Sequence, residues 1–411
     1  MKEINVAMIG CGFMGKAHSN AWRQVGRFLD PKIKPVMKVV CDIDKDLAET
    51  SRERFGWEEA ATSWKKVIAR DDIGIIDIAT PGNTHCKIAL AAAAAGKHIF
   101  CEKPIANSLT EAKEMVKAVD KAGVHHMAAF NYRRVPAVAL AKELIKKKKL
   151  GRIFHFRAVY LQDWIIDPKF PLVWRLRKEA AGSGPHGDLN AHIIDLAHHL
   201  VGDIDEVVGT DTTFIKERPL LDAGATGLSA RTRGKKTGKV TVDDATLFLA
   251  RFASGALGSF EATRFAQGRK NYNRFEINGD KGSIAFNLER MNELEYFDAT
   301  LPRETQGWST ILVNEDVHPY LAAWWPPGHI IGWEHTFIHE VYDFVNGIAT
   351  GRGTTPNFAD GTMTQAVLEA VTASCRKRGW MKIKNFWKPR KATVRKAAVR
   401  KATVRPKGGK K

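Results

Sequence analysis

The sequence predicts an α/β fold in two parts, an N-terminal Rossmann dinucleotide-binding domain and a C-terminal α+β domain on a mostly antiparallel sheet. Three observations predict it. The apolar run Ile4 to Ile9 enters Gly10-Cys11-Gly12-Phe13-Met14-Gly15, and a helix-forming stretch follows from Lys16 to about Phe28. Short apolar runs and helical stretches then alternate to Phe130, which is the mark of a parallel sheet. Beyond Gly151 the texture changes to alternating strands joined by tight turns, which implies antiparallel pairing.

Each element has its own signal. In G-x-G-x-x-G after a strand, Gly10 makes the turn, Gly12 lets a pyrophosphate approach, and Gly15 lets helix and strand pack. The pyrophosphate would sit on the helix N-terminus, where unpaired N–H groups and the helix dipole favour anions. The next strand, Val36 to Cys41, ends in Asp42. An acid there would bind the adenosine ribose hydroxyls and repel a 2′-phosphate, favouring NAD over NADP. Its distance from the glycines exceeds the usual spacing because Asp30 to Pro35 reads as an enlarged loop. Asp44 is the fallback, and a plain turn or capping aspartate is the other reading of Asp42.

A buried strand over Ile73 to Ala79 opens into Thr80-Pro81-Gly82-Asn83-Thr84-His85, and an alanine-rich helix runs on to Gly96. A short strand, His98 to Cys101, ends in Glu102-Lys103-Pro104. Both loops leave the carboxyl ends of strands, where ligands bind in open α/β sheets. Ser108 and Glu111 form a capping box for a helix through Val119, closed by Gly123. Val124 to Phe130 is the last strand of this half, followed by Asn131-Tyr132-Arg133-Arg134.

In the second half, the glycine-rich stretch from Gly182 runs into a helix carrying Asp188, His192 and Asp195. Residues four apart share a helix face, so Asp188 and His192 would be neighbours, an arrangement suited to moving a proton near neutral pH. A helix capped by Asp188 with a satisfied core histidine is the bland alternative. Two hairpins are expected: Asp244–Phe252 with Leu257–Thr263, and Arg274–Ile277 with Ser283–Phe286 across the turn 278–282. Trp324-Trp325-Pro326-Pro327-Gly328-His329 reads as a loop whose aromatics either stack on a sugar face or pack internally. A helix follows from Trp333 to Asn346. His335 and His339 lie four apart on it, but a solvated or substrate-facing helix is the preferred reading and no metal is expected.

The chain has 411 residues, more than one core usually serves. The units are drawn at 1–130, 131–385 and a basic repeat tail, 386–411. The net charge of +19 looks like a nucleic-acid signal until it is located. Eleven lysines and arginines and no acid lie between Lys388 and Lys411, so the remainder carries only +8. The Lys-Ala-Thr-Val-Arg-type repeats have too few apolar residues for a core, so disorder is expected. Polyanion binding and a mere solubility tail are equal readings. Five scattered cysteines, no membrane-spanning run and no leader before the first strand are read as cytoplasmic.

The glycine loop, the Thr-Pro-x-Asn-x-His loop, Glu102-Lys103-Pro104 and the Gly-x-x-x-Asp-x-x-x-His helix, in that order, resemble the Gfo/Idh/MocA family. That family is named for glucose–fructose oxidoreductase, inositol dehydrogenase and a rhizopine-catabolism protein, and the resemblance covers about residues 3 to 385. It implies that the second sheet is large and open, with its free face on a partner subunit in a homodimer or homotetramer. It implies NAD-dependent oxidation of a hydroxyl on a sugar, glycoside, anhydrosugar or cyclitol, with carbon 3 of a pyranose as a candidate position. Lys103, Asp188 and His192 would surround that hydroxyl. His192 would accept its proton, Asp188 would bind a second hydroxyl and tune the imidazole, and Lys103 would hold the reacting oxygen.

For the cofactor, the resemblance carries over Gly10, Gly12, Phe13, Met14 and Gly15 at the pyrophosphate and Asp42 at the adenosine ribose. Thr80, Pro81, Asn83 and His85 would lie along the nicotinamide side, and Glu102 with Lys103 near the ribose. Asn131 and Arg133 would touch nicotinamide or substrate. Arg133, Trp174, Arg175 and His329 complete the substrate side. Arg175 and Arg177 keep a charged sugar open, although no arginine cluster demands one. Two other function classes stand beside this: a glycoside hydrolase that oxidises its substrate transiently, and a non-catalytic NAD-binding sensor.

Overall fold

The computed structural model describes residues 2–221 and 236–387, so the basic tail and its polyanion reading lie outside the described residues. The first sheet contains β1 (Glu3–Ile9), β2 (Lys34–Cys41), β3 (Glu59–Ala61), β4 (Ile75–Ile78), β5 (His98–Glu102) and β6 (His126–Ala129). Its order is β3-β2-β1-β4-β5-β6 and every pairing is parallel. Helices α1 (Phe13–Phe28), α2 (Lys45–Phe55), α3 (Trp64–Ile68), α4 (His85–Ala94) and α5 (Leu109–Ala122) connect these strands, and α6 (Pro136–Lys146) follows the last of them.

Strands covered on both faces must be apolar at nearly every position. Val6 and Met8 accordingly face one layer with Ile75, Phe100 and Met127. Ala7 and Ile9 face the other with Ile76, Ile78, Ile99 and Ala128. At the start of α5 the Ser108 hydroxyl accepts from the Glu111 N–H. The Glu111 carboxylate takes the Ser108 hydroxyl rather than its N–H, so only half of the capping box forms.

The second half begins with β7 (Ile153–Leu161), then α7 (Lys178–Ala181), a π-turn over His186–Asn190 and α8 (Ala191–Leu200). There follow β8 (Ile204–Thr212), β9 (Glu217–Pro219), β10 (Thr237–Lys239), β11 (Ala245–Phe252), β12 (Leu257–Thr263) and β13 (Tyr272–Gly279). Next come β14 (Gly282–Asn287), β15 (Glu293–Asp298), β16 (Trp308–Leu312), α9 (His335–Thr350), α10 (Phe358–Lys377) and β17 (Met381–Lys382). Nine of these strands form one sheet, ordered β16-β15-β14-β13-β7-β12-β11-β8-β17. Only β7 with β12 is parallel in it. Both expected hairpins are present. The second is tighter than expected: the strands run on to Gly279 and from Gly282, leaving Asp280 and Lys281 as the turn.

The first sheet ends at Ala129 and the second begins at Ile153, and two helices of the segment 131–385 reach back to the first half. Helix α9 returns to α1, laying Phe337, Ile338, Val341, Phe344 and Val345 against Val6, Met8, Trp22 and Phe100. Helix α10 packs on α5 and on β8, tying the two sheets together. The α9 histidines are therefore neither solvated nor substrate-facing as a pair. His339 is buried, its Nδ1 3.0 Å from the Arg134 carbonyl, and its Nε2 accepts from Trp324 Nε1 at 2.8 Å. Trp324 also packs on Phe28, which settles its role as internal packing.

Helix α9 also buries Glu340 completely, and neither carboxyl oxygen has a hydrogen-bond partner among the described residues. Burial raises this acid from its usual 4.5 to about 8. A raised acid favours the fold fully below the usual value, and that advantage is lost as pH climbs through the raised one. Unfolding of Glu340→Gln followed by calorimetry from pH 5 to pH 9 should therefore gain on the unaltered protein by about 2 °C or more. A pH-independent difference would show that the fold does not hold Glu340 above its usual value.

Candidate active site

The carboxyl ends of β4, β5 and β6 face the C-terminal half, and the chemistry gathers there. Lys103 leaves the end of β5 and its ammonium donates to Asp188 Oδ1 at 2.6 Å and to the Asp188 carbonyl at 3.0 Å. The other carboxylate oxygen of Asp188 accepts from Arg264 Nη2 at 2.6 Å. Arg264, only 1% exposed, follows the end of β12 with its guanidinium 5.0 Å from the Trp164 ring. Arg175 stacks on Trp174 at 4.3 Å. Burial would raise the Asp188 carboxyl, but the charges of Lys103, Arg264 and Arg175 overcome this and hold it well below the usual range. It is an ionised acceptor throughout the physiological range.

His192 lies beside this cluster, buried, with Tyr132, Tyr160 and Phe130 around its ring at 4.5, 5.8 and 6.1 Å. Its Nδ1 has no hydrogen-bond partner among the described residues. Burial, with the Lys103 charge adding to it, holds the imidazole well below its usual value, so it is neutral. It feels the Asp188 charge, as neighbours four residues apart would, but no hydrogen bond joins the two. The reason is the π-turn: over His186–Asn190 the backbone is wound more widely than an α-helix, and the carboxylate swings to Lys103 and Arg264 instead. On the His192 wall, Tyr132 and Tyr160 hydroxyls meet at 2.8 Å. Tyr160 donates to Asn271 Oδ1, which also accepts from Gln162, and Gln162 accepts from Trp164 Nε1.

The glycine loop has the shape a dinucleotide needs. Gly10 has φ +106°, and a Cβ there would lie 2.7 Å from the Ala79 carbonyl; a Cβ on Gly15 would meet the Gly10 oxygen at 2.2 Å. A Cβ on Gly12 would meet nothing within 4 Å among the described residues, and no side chain caps α1. The first amides of α1 are left for an anion. Phe13 and Met14 flank them, with Phe13 exposed and stacked on Trp333 at 5.7 Å. Asp42 Oδ2 accepts from the Cys11 N–H at 2.8 Å and Oδ1 from the Asp44 N–H at 3.1 Å. The carboxylate is thus fixed beside the loop at the strand end. Thr80 and Thr84 hydroxyls pair at 2.6 Å, and Pro81 and Asn83 are exposed on the same loop.

Several residues expected to reach ligand are spent internally. His85 has its ring nitrogens against the Pro104 and Thr80 carbonyls, a strut between two loops. Asn131 donates to Thr336, and Arg133 makes a two-bond ion pair with Asp195, all buried. Glu102, expected at a ribose hydroxyl, is buried with one oxygen on His18 and the other accepting from the Lys103 N–H. His329 sits on an exposed loop, bonded to the Pro326 carbonyl, with no contact to the Lys103 cluster among the described residues. Conversely, Arg264 was not foreseen. With Arg175 it makes the arginine pair that sequence reasoning did not anticipate, although Asp188 balances one of these charges.

Comparison with known proteins fits this geometry. Residues 4–130 match the family model described as oxidoreductase family, NAD-binding Rossmann fold, and residues 138–285 match the GFO/IDH/MocA C-terminal domain. Levoglucosan dehydrogenase of Pseudarthrobacter phenanthrenivorans is 45% identical over 93% of this chain and 99% of its own length. The chain belongs to the GFO/IDH/MocA family. Among solved structures, levoglucosan dehydrogenase in complex with NADH and levoglucosan superposes with a TM-score of 0.88 at 44% identity, covering 93% of this chain and 99% of that one. An oxidoreductase domain protein from Kribbella flavida gives 0.88 at 49% identity, covering 93% and 100%. For this GFO/IDH/MocA member, the open Gly12 edge, the uncapped α1 and the strand-end Asp42 are the residues that fit NAD. No described helix is long and apolar enough to cross a membrane.

Proposed function

We propose that this protein is an NAD-dependent dehydrogenase that oxidises a ring hydroxyl of a neutral anhydrosugar of the levoglucosan class, at carbon 3. The Lys103–Asp188–Arg264 cluster beside a neutral His192 carries the reading. NAD, when bound, supplies the hydride acceptor. Lys103 spends two of its three donors on Asp188, which leaves one for the reacting oxygen. Asp188 binds a neighbouring hydroxyl while holding Lys103 in place. His192 would take the hydroxyl proton; the hydride would neutralise the positively charged nicotinamide ring, so an imidazolium beside it would cost less. Trp164 and Trp174 offer faces to a sugar ring, and the Tyr160–Asn271–Gln162 chain offers neutral hydrogen-bonding groups. The 45% identity to levoglucosan dehydrogenase supports the anhydrosugar and favours net oxidation over transient-redox hydrolysis.

The test is absorbance near 340 nm, the band of the reduced nicotinamide, with NAD⁺ or NADP⁺ against anhydrosugars, pyranoses, glycosides and inositols. NADH should form with an anhydrosugar, and NADP⁺ should be at least about tenfold poorer because of Asp42. Release of an aglycone without net NADH would overturn the reading.

The same reading includes a homo-oligomer assembled through the open face of the nine-stranded sheet, and a cytoplasmic setting. Alternation on β11 turns Phe248, Ala250 and Phe252 inward and leaves Leu247 and Leu249 exposed, beside Leu257 of β12. Leu247 and Leu249 border a groove of about 380 Å³. An exposed apolar sheet face of this kind is a contact surface. Light scattering after size exclusion should give a dimer or tetramer for the unaltered chain and a monomer for Leu247→Glu/Leu249→Glu. A dimer persisting in the variant would exclude this face.

A further inference from the structure

His18 lies on α1 behind the glycine loop, away from the residues assigned to substrate. It is fully buried. Its Nδ1 is 2.9 and 3.1 Å from the two Asp77 oxygens, and its Nε2 is 3.0 Å from Glu102 Oε1. Trp22 Nε1 donates to Asp77 Oδ2 at 2.7 Å. A carboxylate only accepts, so an imidazole held between two of them must carry a hydrogen on each nitrogen. Burial alone would depress it, but the charges and hydrogen bonds of Asp77 and Glu102 prevail and raise it to about 10. The titratable groups that face it are Asp77 from β4, Glu102 from β5 and Glu340 from α9, the last of them protonated near neutral pH, while the rings of Phe100 and Phe337 cover its sides.

The array does not stop at Glu102. The second Glu102 oxygen accepts the Lys103 N–H at 2.9 Å, and Lys103 Nζ reaches Asp188 at 2.6 Å. A continuous line of charge-assisted bonds therefore runs from the cofactor helix to the residue at the reacting oxygen. We propose that His18 is a positioning residue for Lys103: as a cation between Asp77 and Glu102 it fixes the Glu102–Lys103 peptide and so sets where the Lys103 ammonium meets the substrate. Removing one partner of a buried ionic array leaves the others uncompensated, so Glu102 would be released to turn. A displacement of about 1 Å at a catalytic group costs about a hundredfold in rate.

This inference rests on Lys103 standing at the reacting hydroxyl, so Lys103→Met is assayed beside it. His18→Gln should lower kcat about tenfold to a hundredfold, with the NADH dissociation constant, read by fluorescence titration, changed by less than about threefold. The apparent pKa on the acid limb of the kcat profile should move by about half a unit or more, because the Lys103–Asp188 spacing changes. Trp22→Phe removes a bond from the same Asp77 without touching the link to Glu102. It should lose comparable thermal stability and keep kcat within about twofold, with its pH profile in place. A His18→Gln kcat within twofold of the unaltered enzyme, or an equal loss in Trp22→Phe, would overturn the proposal. If His18→Gln does not fold, Glu102→Gln, which keeps the side-chain volume, carries the same expectation, and full turnover there is equally fatal. Full turnover in Lys103→Met would instead remove the role given to Lys103 itself.

Discussion

Replacing Lys103 by methionine should lower kcat about a thousandfold or more while leaving the fold and NADH binding in place. The size follows from what is lost: the one remaining donor for the reacting oxygen, and the nearest positive charge to stabilise it as the proton leaves. The fold survives because Asp188 keeps Arg264 at 2.6 Å and is not left as an unpaired buried charge. Stopped-flow absorbance with saturating sugar separates the chemical step from binding, and a thermal melt checks the fold. Near-normal turnover in this variant together with near-normal turnover in His192→Ala would sink the assigned roles. The same logic makes His192→Ala the milder change if Lys103 carries most of the charge.

Gly10→Ala is the second large effect. Its backbone sits at φ +106°, a region that side chains avoid, and the new methyl would stand 2.7 Å from the backbone of Ala79 and 2.9 Å from the Thr80 nitrogen. All three close atoms belong to one backbone peptide, which leaves nothing flexible to yield, so the glycine loop and the loop after β4 must move apart. Those are the two loops that flank the expected dinucleotide path. NADH affinity should fall by about a hundredfold, and the melting temperature by several degrees, since strain of this kind costs about 1–3 kcal/mol. Gly12→Ala is the internal comparison: its Cβ meets no described atom within 4 Å, so the apoprotein should be as stable as before and only cofactor binding should suffer. Equal melting losses in both variants would contradict this division.

The residues that could be read from the chain were those whose chemistry demands a local pattern. A glycine at positive φ after a strand, an acid at the next strand end and a lysine in Glu-Lys-Pro announce themselves within a few residues. So do strands whose apolar positions alternate, as in Phe248, Ala250 and Phe252. Arg264 did not, because its meaning lies in a partner 76 residues away, Asp188, and an arginine after a strand has no local signature. His18 was equally silent, being one polar residue on an amphipathic helix. Arg133 and Asn131 misled for the converse reason. They occupy loop positions at strand ends where ligands bind, but Asp195 and Thr336 claim them from distant parts of the chain. The Asp188–His192 spacing told of neighbours, but not that the Asp188 carboxylate would bond to Lys103 and Arg264.

The return of α9 to α1 has a consequence for how the chain is made. One face of the parallel sheet and the inner side of α1 are sealed by Phe337, Ile338, Val341, Phe344 and Val345, which are synthesised long after β6. At ribosomal speeds of about 5–20 residues per second, the intervening stretch of about 200 residues takes about 10–40 s to emerge. During that interval Ala21, Val25 and their neighbours wait without their cover. A nascent chain in this condition is a client for chaperones, and a synonymous change that slows translation between the two segments lengthens its exposure without altering a single residue of the finished protein.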